Sequence, residues 1–423
     1  MNCKISEAKS NYRKIGDFIQ LVDERNKDLK VTKLLGLSIS KQFIPSVANT
    51  IGTNMKNYKI IRKNQFACST MQVRRDKKMP IALLQDFEEA IISQAYPVFK
   101  IIDETILNSE YLMMWFSRSE FDRHACFLAI GGVRGSLEWE DFLEMPIPVP
   151  SIEKQHEIVK EYNTVANRIT LNETINKKLE DTAQALYKNW FVDFEFPNEQ
   201  GKPYKSNGGK MVFNEELDLE IPLGWESKSV NKEFNIQIGR TPPRHELNWF
   251  TKDGKGLKWI SIKDLGNNGS HILTTSEKLT FDAVKKFKIP IIPKNKTILS
   301  FKMSIGKVAI TNEEMLSNEA IAHFIQKKES FISSEFIYCF LSSFNFNSLG
   351  TTSSIVNSIN SKMVKELIIT VPNESIINIF NSIIESVFKK KLIIEKQNNK
   401  LSKLKNLLLS KMSKVAIEKE MVC

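Results

Sequence analysis

The sequence predicts an α+β protein. Two mixed α/β domains, related as copies of one unit, are joined by two long helices that pair as an intramolecular antiparallel coiled coil. Three observations lead there. The chain repeats itself at an offset near 225 residues, each copy carries a strand-like segment ending in proline, and behind each proline runs a long stretch without Pro or Gly. The expected boundaries are a first mixed domain over 1–150, a first helical region over 151–207, a second mixed domain over 208–372 and a second helical region over 373–423.

The repeat appears when the halves are overlaid. Ser109-Glu110-Tyr111-Leu112-Met113-Met114-Trp115-Phe116-Ser117 resembles Ser334-Glu335-Phe336-Ile337-Tyr338-Cys339-Phe340-Leu341-Ser342, and Ala95 and Phe99 meet Ala320 and Phe324 at the same offset. Upstream, Lys63-Asn64 meets Lys294-Asn295 and Ser69 meets Ser300; downstream, Val149-Pro150 meets Val371-Pro372. Four matches in one order, with a slowly drifting offset, describe two copies separated by small insertions and deletions. Each copy opens on strand-like runs with turn punctuation, in the second copy Leu257 to Ile262 and Lys307 to Ile310. A short amphipathic helix follows, Ser109 to Phe121 and Ser334 to Phe346. Then comes a strand ending at proline, Met145 to Pro150 and Leu367 to Pro372.

No Pro or Gly occurs between Pro150 and Pro197, or after Pro372. The first long helix is expected from about Ile152 to Phe191, about 60 Å at roughly 1.5 Å per residue. Its seam runs through Ile158, Val165, Asn172, Leu179 and Leu186. The repeat carries these onto Phe380, Val387, Ile394, Leu401 and Leu408. A helix this long needs a long partner, and the other copy supplies one. Asn at a seam lowers stability and fixes register, a role open to Asn176 and Asn398, which could equally face solvent. Two-fold related heads on a rigid spacer match two segments of a double helix, because half-site spacing on DNA is geometric.

Composition limits the alternatives. The 423 residues carry 42% hydrophobic and 26% charged side chains and a formal net charge of +11. A chain of this size suits two or more folded domains, and the basic excess fits an anionic partner or a solvated Lys-rich surface. Five scattered cysteines without C-x-x-C fit a reducing, cytoplasmic setting. No apolar run approaches the length of a membrane span, and Met1 to Lys4 opens no signal peptide. None of the five histidines stands in metal-ligand spacing. No phosphate loop, nucleophile elbow or N-P-P-[FY] adenine grip occurs, and Gly131 to Gly135 reads as a tight loop. Trp139 and Trp259 read as core residues. Lys389-Lys390-Lys391 reads as the exposed face of a helix.

This layout resembles the specificity subunit of type I restriction–modification systems over nearly the whole chain. Met145 to Gln155 is similar to the hinge into the first helical region, Asp181 to Phe196 to the exit of the central helix, and Ile221-Pro222-Leu223-Gly224-Trp225-Glu226 to the start of a second recognition domain. Trp259 to Leu265 and Tyr58 to Ala67 resemble strand pieces of the two domains. The second hinge, Ile369-Thr370-Val371-Pro372-Asn373-Glu374, departs from the usual proline-rich form containing Glu-Gln. The resemblance implies a chain with no cofactor and no catalysis of its own. Each domain would read one half of a bipartite double-stranded DNA target. Two methyltransferase subunits using S-adenosylmethionine, and motor–nuclease restriction subunits using ATP and Mg²⁺, would do the chemistry.

Phosphate contact needs Lys, Arg or small polar groups on loops, and base readout needs Arg, Asn, Gln or Ser. The candidates in the first domain are the loop Arg74, Arg75, Lys77, Lys78, with Arg134 and Ser136. In the second they are Arg240, Thr241, Arg244, Lys263, Lys302 and Ser304, with Ser358 and Asn360 in the place of the Arg134 loop. Two other classes stay open: a coiled-coil scaffold binding proteins, and a nuclease or methyltransferase fragment. Salt-dependent DNA binding separates the first, and chemistry by the isolated chain the second.

Overall fold

A computed structural model describes residues 12–46, 52–130, 135–252, 254–349 and 359–413. The chain forms two compact units, one of Met1–Ile169 with Lys400–Cys423 and the other of Thr170–Asn399. Each unit is a mixed domain with segments of both long helices.

In the first unit, four antiparallel strands lie in the order Ile19–Val22, Val98–Ile101, Phe66–Cys68, Ile81–Leu83. The central strand Phe66–Cys68 is buried along its whole length. Phe66 and Phe99 stack at 5.0 Å, and Phe116 meets both edge-on, so strand and helix share one aromatic core. The outer pair Tyr12–Lys14 and Pro146–Pro148 delivers the chain into the first long helix.

The second unit repeats this plan. Its sheet runs Phe234–Ile238, Ile321–Gln326, Thr297–Ser300, Val308–Thr311, with His271–Ile272 added in parallel at the edge. Glu226–Ser229 pairs with Ile368–Val371 where the first unit pairs Tyr12–Lys14 with Pro146–Pro148. The Lys-Asn match is the same turn made twice. Asn64 and Asn295 take left-handed backbone, φ 63° and 57°, and their N–H groups donate to Leu84 and Thr311 carbonyls, both at 2.8 Å. Asparagine tolerates that conformation better than most residues. The second unit adds a four-stranded sheet, Phe250–Thr251, Glu277–Leu279, Leu257–Ile260 and Leu316–Ser317, over a core containing Trp259.

Several boundaries differ from the sequence reading. The first short helix ends at Phe116, because Arg118 turns extended and a new helix starts at Ser119. Its counterpart ends at Ser343. The strand from Leu257 stops at Ile260. Ser261 leaves it to form a capping box with Asp264, starting the helix Ile262–Asn267.

The first long helix runs Ile152–Phe191 and the second Glu374–Lys411. In the second unit Asn172 donates to Asn398 at 2.8 Å, Lys391 pairs with Glu180, and Trp190 packs on Phe380 at 5.9 Å. Numbers rise along one helix as they fall along the other, so the packing is antiparallel. In the first unit Lys405 lies 5.2 Å over the Tyr162 ring, and Val159 shares a core with Leu409 and Met412. Of the expected seam, Asn172, Phe380 and Ile394 are buried; Ile158, Val165, Leu179, Leu186, Val387, Leu401 and Leu408 are half-buried. Besides Asn172, the buried positions on the first helix are Gln155, Val159, Ala183, Tyr187, Trp190 and Phe191.

Two polar expectations change. Asn172, and not Asn176, is the partner of Asn398; the Oδ1 of Asn176 is buried without a hydrogen bond among the described residues. Lys391 is not on an exposed face. It is 2% exposed, between the rings of Tyr338 and Phe388, because Glu180 neutralises it there. At the first hinge the buried Gln155 accepts from the Asn108 N–H and donates to the carbonyls of Ile106 and Pro150, all at 2.8 Å. The repeat places the buried Ile377 there, so the departure at the second hinge exchanges a polar clamp for an apolar contact. Among the described residues, no helix is long and apolar enough to cross a membrane.

Candidate nucleic-acid interface

In the first unit the chain leaves the central strand at Cys68 and returns at Ile81. The intervening segment contains a helical turn, Val73–Asp76, where the sequence suggested an open loop. Gln72 and Lys77 bracket the turn with φ of 64° and 54°. Val73 and Met79 are fully buried and anchor it. The Met79 N–H donates to Asp122 at 3.1 Å, and the buried Lys41 pairs with that carboxylate at 2.8 Å. Burial pulls the Lys41 ammonium below the usual lysine range, against the opposing pull of Asp122.

On this anchored frame Arg74, Arg75, Lys77 and Lys78 are all exposed. Arg75 is held by its neighbour Asp76 at 2.8 Å, while Arg74, Lys77 and Lys78 have no ion-pair partner among the described residues. The segment before the helix Trp139–Glu144 closes on the same loop. The N–H of Leu137 donates to Thr70 at 2.9 Å, and the N–H of Arg74 donates to Gly135 at 3.1 Å. Gly135 has φ 65°, and a Cβ there would stand 2.5 Å from the Cβ of Arg74, so only glycine fits. Ser136 is half-buried beside it. Arg134 lies outside the described residues.

The second unit builds the same arrangement between Ser300 and Val308. Ser300 donates through Oγ to the Ser304 carbonyl and accepts from the Lys307 N–H at 3.1 Å, and the Gly306 N–H reaches the Ser300 carbonyl at 3.0 Å. Lys302 is exposed and Ser304 half-buried. The N–H of Ile359 donates to Phe301 at 3.2 Å, the counterpart of Leu137 on Thr70. Thus the structure brings together Arg74, Arg75, Lys77, Lys78 and Ser136 in one unit, and Lys302, Ser304 and Asn360 in the other.

Residues 8–181 and 222–404 match the sequence model of the type I restriction modification DNA specificity domain, once in each repeat. The chain belongs to this family. It is a DNA target-recognition subunit of a type I restriction–modification system. It is 26% identical over 318 residues to the type I restriction enzyme MjaIX specificity subunit of Methanocaldococcus jannaschii, covering 74% of this chain and 70% of that one. It is 23% identical over 379 residues to the HindI specificity subunit of Haemophilus influenzae, covering 77% and 81%. The fold matches the crystal structure of a type I restriction–modification S subunit from M. genitalium, with a TM-score of 0.57, 14% identity and 95% of each chain covered.

For a specificity subunit, the remaining candidates divide by what already holds them. Arg244 pairs with Glu277 at 2.8 Å and lies 4.3 Å over Phe250 and 4.6 Å over Trp259. Arg240 donates to the Phe287 carbonyl at 3.2 Å, and its own carbonyl takes the Trp259 indole N–H. Thr241 donates to Glu319. Asn360 caps the helix Ser361–Lys365 by accepting from the Met363 N–H at 2.9 Å. Lys263 sits exposed on the helix Ile262–Asn267, not on a strand. Ser358 lies outside the described residues. Sequence reasoning missed the brace of Lys41 and Asp122, which no local pattern announces. It also missed Gln72 and Met303, whose left-handed backbone no turn motif signals.

Proposed function

We propose that each repeat reads one half of a bipartite double-stranded DNA target through the loop behind its central strand, and that the two long helices set the gap between the halves. The observation that carries this reading is the paired clamp of Leu137 on Thr70 and Ile359 on Phe301, which presents a basic loop at the same place in both units. Exposed Lys and Arg on a fixed backbone suit phosphate contacts that set register, while polar neighbours reach base edges. On this reading Arg74, Arg75, Lys77, Lys78, Ser136, Lys302 and Ser304 face DNA, with Arg134 and Ser358 on the adjoining segments.

Two methyltransferase subunits would dock on the helices and carry S-adenosylmethionine, methylating one adenine in each half. Motor–nuclease subunits would add cleavage with ATP and Mg²⁺. The chain would contribute recognition without chemistry and work in the cytoplasm beside its DNA. The test is co-expression with the neighbouring methyltransferase gene in a host lacking adenine methylation, followed by single-molecule methylome sequencing. A bipartite methylated motif that depends on this chain is the expected result. A stable complex that methylates no new motif would sink the reading and favour a protein-binding scaffold.

A further inference from the structure

The two reading loops share a feature that charge does not explain. Both contain a non-glycine residue with left-handed backbone at the same point, the third residue past the equivalent serines Ser69 and Ser300, and the first loop has a second such residue at Lys77. The matched residues are Gln72, φ 64°, and Met303, φ 65°. Only a few per cent of non-glycine residues adopt this conformation, and Asn, Asp and His are enriched among them because their short polar groups relieve it locally. Gln and Met have no such relief. Gln72 precedes the turn Val73–Asp76 yet makes no capping hydrogen bond. Met303 is 83% exposed, more than any other large apolar side chain among the described residues. The loop around it is rigid, closed by the bonds of Ser300 to Ser304, Lys307 and Gly306 and of the Ser304 N–H to the Lys302 carbonyl at 2.8 Å. Strain and apolar exposure held in place by a closed hydrogen-bond frame mark a functional position.

Resting on the DNA-reading function proposed above, we infer that this left-handed position is where each repeat touches a base edge: Gln72 meets an adenine and Met303 the 5-methyl group of a thymine, both in the major groove. The chemistry of each side chain selects its partner. A glutamine amide offers the donor and acceptor that adenine N7 and N6 require, and an apolar side chain matches the methyl group that distinguishes thymine there. The neighbouring cations hold the loop against the DNA backbone, Arg74, Lys77 and Lys78 in the first repeat and Lys302 and Lys307 in the second, all exposed.

The test uses the full chain assembled with its methyltransferase subunits and duplexes carrying its methylation target. Each thymine of the half-site read by the second repeat is replaced in turn by uracil, and each adenine of the other half-site by 7-deaza-adenine. One uracil position should weaken binding about fourfold, as expected for one buried methyl group. One 7-deaza position should weaken it roughly tenfold, as for a bidentate base contact. The variants Met303→Gly and Gln72→Gly keep the backbone accessible without strain, so their melting temperatures should not fall. Each should bind its substituted and natural duplexes equally. Discrimination that persists unchanged in the glycine variants, or no sensitive uracil and 7-deaza position at all, overturns the assignment. A complex that prefers no duplex overturns both this and the DNA-reading function, and is distinct from base insensitivity with target preference intact.

Discussion

Removing the exposed charges of the first reading loop should change how DNA binding responds to salt. The substitutions are Arg74→Ala, Arg75→Ala, Lys78→Ala and Lys77→Gly, the glycine because Lys77 has φ 54°. Four charges leave, but Arg75 is already neutralised by Asp76 at 2.8 Å, so three cations are available to phosphates. Each phosphate contact contributes about 0.9 to the slope of log K against log salt, so the slope should fall by about 2.7. Extrapolated from molar salt, that is roughly two orders of magnitude of affinity at 0.15 M. The loop keeps its anchors Val73 and Met79, both fully buried, so folding stability should move by only about 0.5 kcal/mol. The assay is fluorescence anisotropy of the assembled methyltransferase complex on target and random duplexes across a salt series. Because phosphates carry no sequence information, both duplexes should lose affinity alike. An intact complex with an unchanged slope would remove the loop from the interface. A loss confined to the target duplex would refute its phosphate role.

Inserting one heptad in each long helix should lengthen the methylated motif's central gap by about three base pairs, from roughly 1.5 Å per helical residue; an unchanged gap on methylome sequencing contradicts the spacer role. Glu180→Leu alone leaves Lys391 buried without a counter-charge and should destabilise by about 3–5 kcal/mol, while Glu180→Leu with Lys391→Met should be close to neutral in a denaturant-based double-mutant cycle. Burial drives the His323 imidazole down to about 3, with Nε2 2.6 Å from Ser317 Oγ and Nδ1 without a partner among the described residues. The unfolded chain takes up that proton near pH 6.5 and the folded chain does not. The stabilisation is therefore complete above pH 6.5 and falls by about 1.4 kcal/mol per unit as pH drops toward 3. His323→Gln should flatten thermal stability between pH 6 and 4, and an undiminished slope would show that another group titrates there.

The features legible in the sequence were those written in backbone chemistry. Proline put the strand ends at Pro150 and Pro372, within two residues of where they fall, Pro148 and Val371, and the Pro- and Gly-free run gave the helix Ile152–Phe191 with both ends correct. The Lys-Asn pair marked the turns at Asn64 and Asn295 because asparagine tolerates left-handed backbone. Asn360 could have been read as a cap, since Asn ahead of a helical run is a start signal. Other features depended on distant partners. Asn172 and Asn176 stand one turn apart on one stripe, and only the stagger of the second helix decides which meets Asn398. Lys391 looks like its exposed neighbours Lys389 and Lys390 until Glu180 is placed against it. The sign of φ at Gln72 and Met303 is set by loop closure and leaves no composition signal.

The two copies show what the scaffold requires and what it leaves free. The clamp at the loop base is made by carbonyls, from Thr70 in one unit and Phe301 in the other, so it persists although the side chains share nothing. The left-handed position likewise survives a change from Gln to Met. A frame held by main-chain bonds lets the exposed side chains change without unfolding the loop, which is what a module needs if new targets are to arise by substitution. The same logic ranks the candidates. Arg244, Thr241 and Asn360 hold Glu277, Glu319 and the Met363 N–H, so changing them would perturb the fold before it altered a target. Among the described residues Met303, Gln72 and Lys77 hold no such partner side chain, and Lys302 only lies 5.4 Å over the Phe301 ring, so all four can be exchanged with little structural consequence. Target specificity should therefore follow a transplanted loop 69–80 or 301–307, while a transplanted Arg244 should carry none.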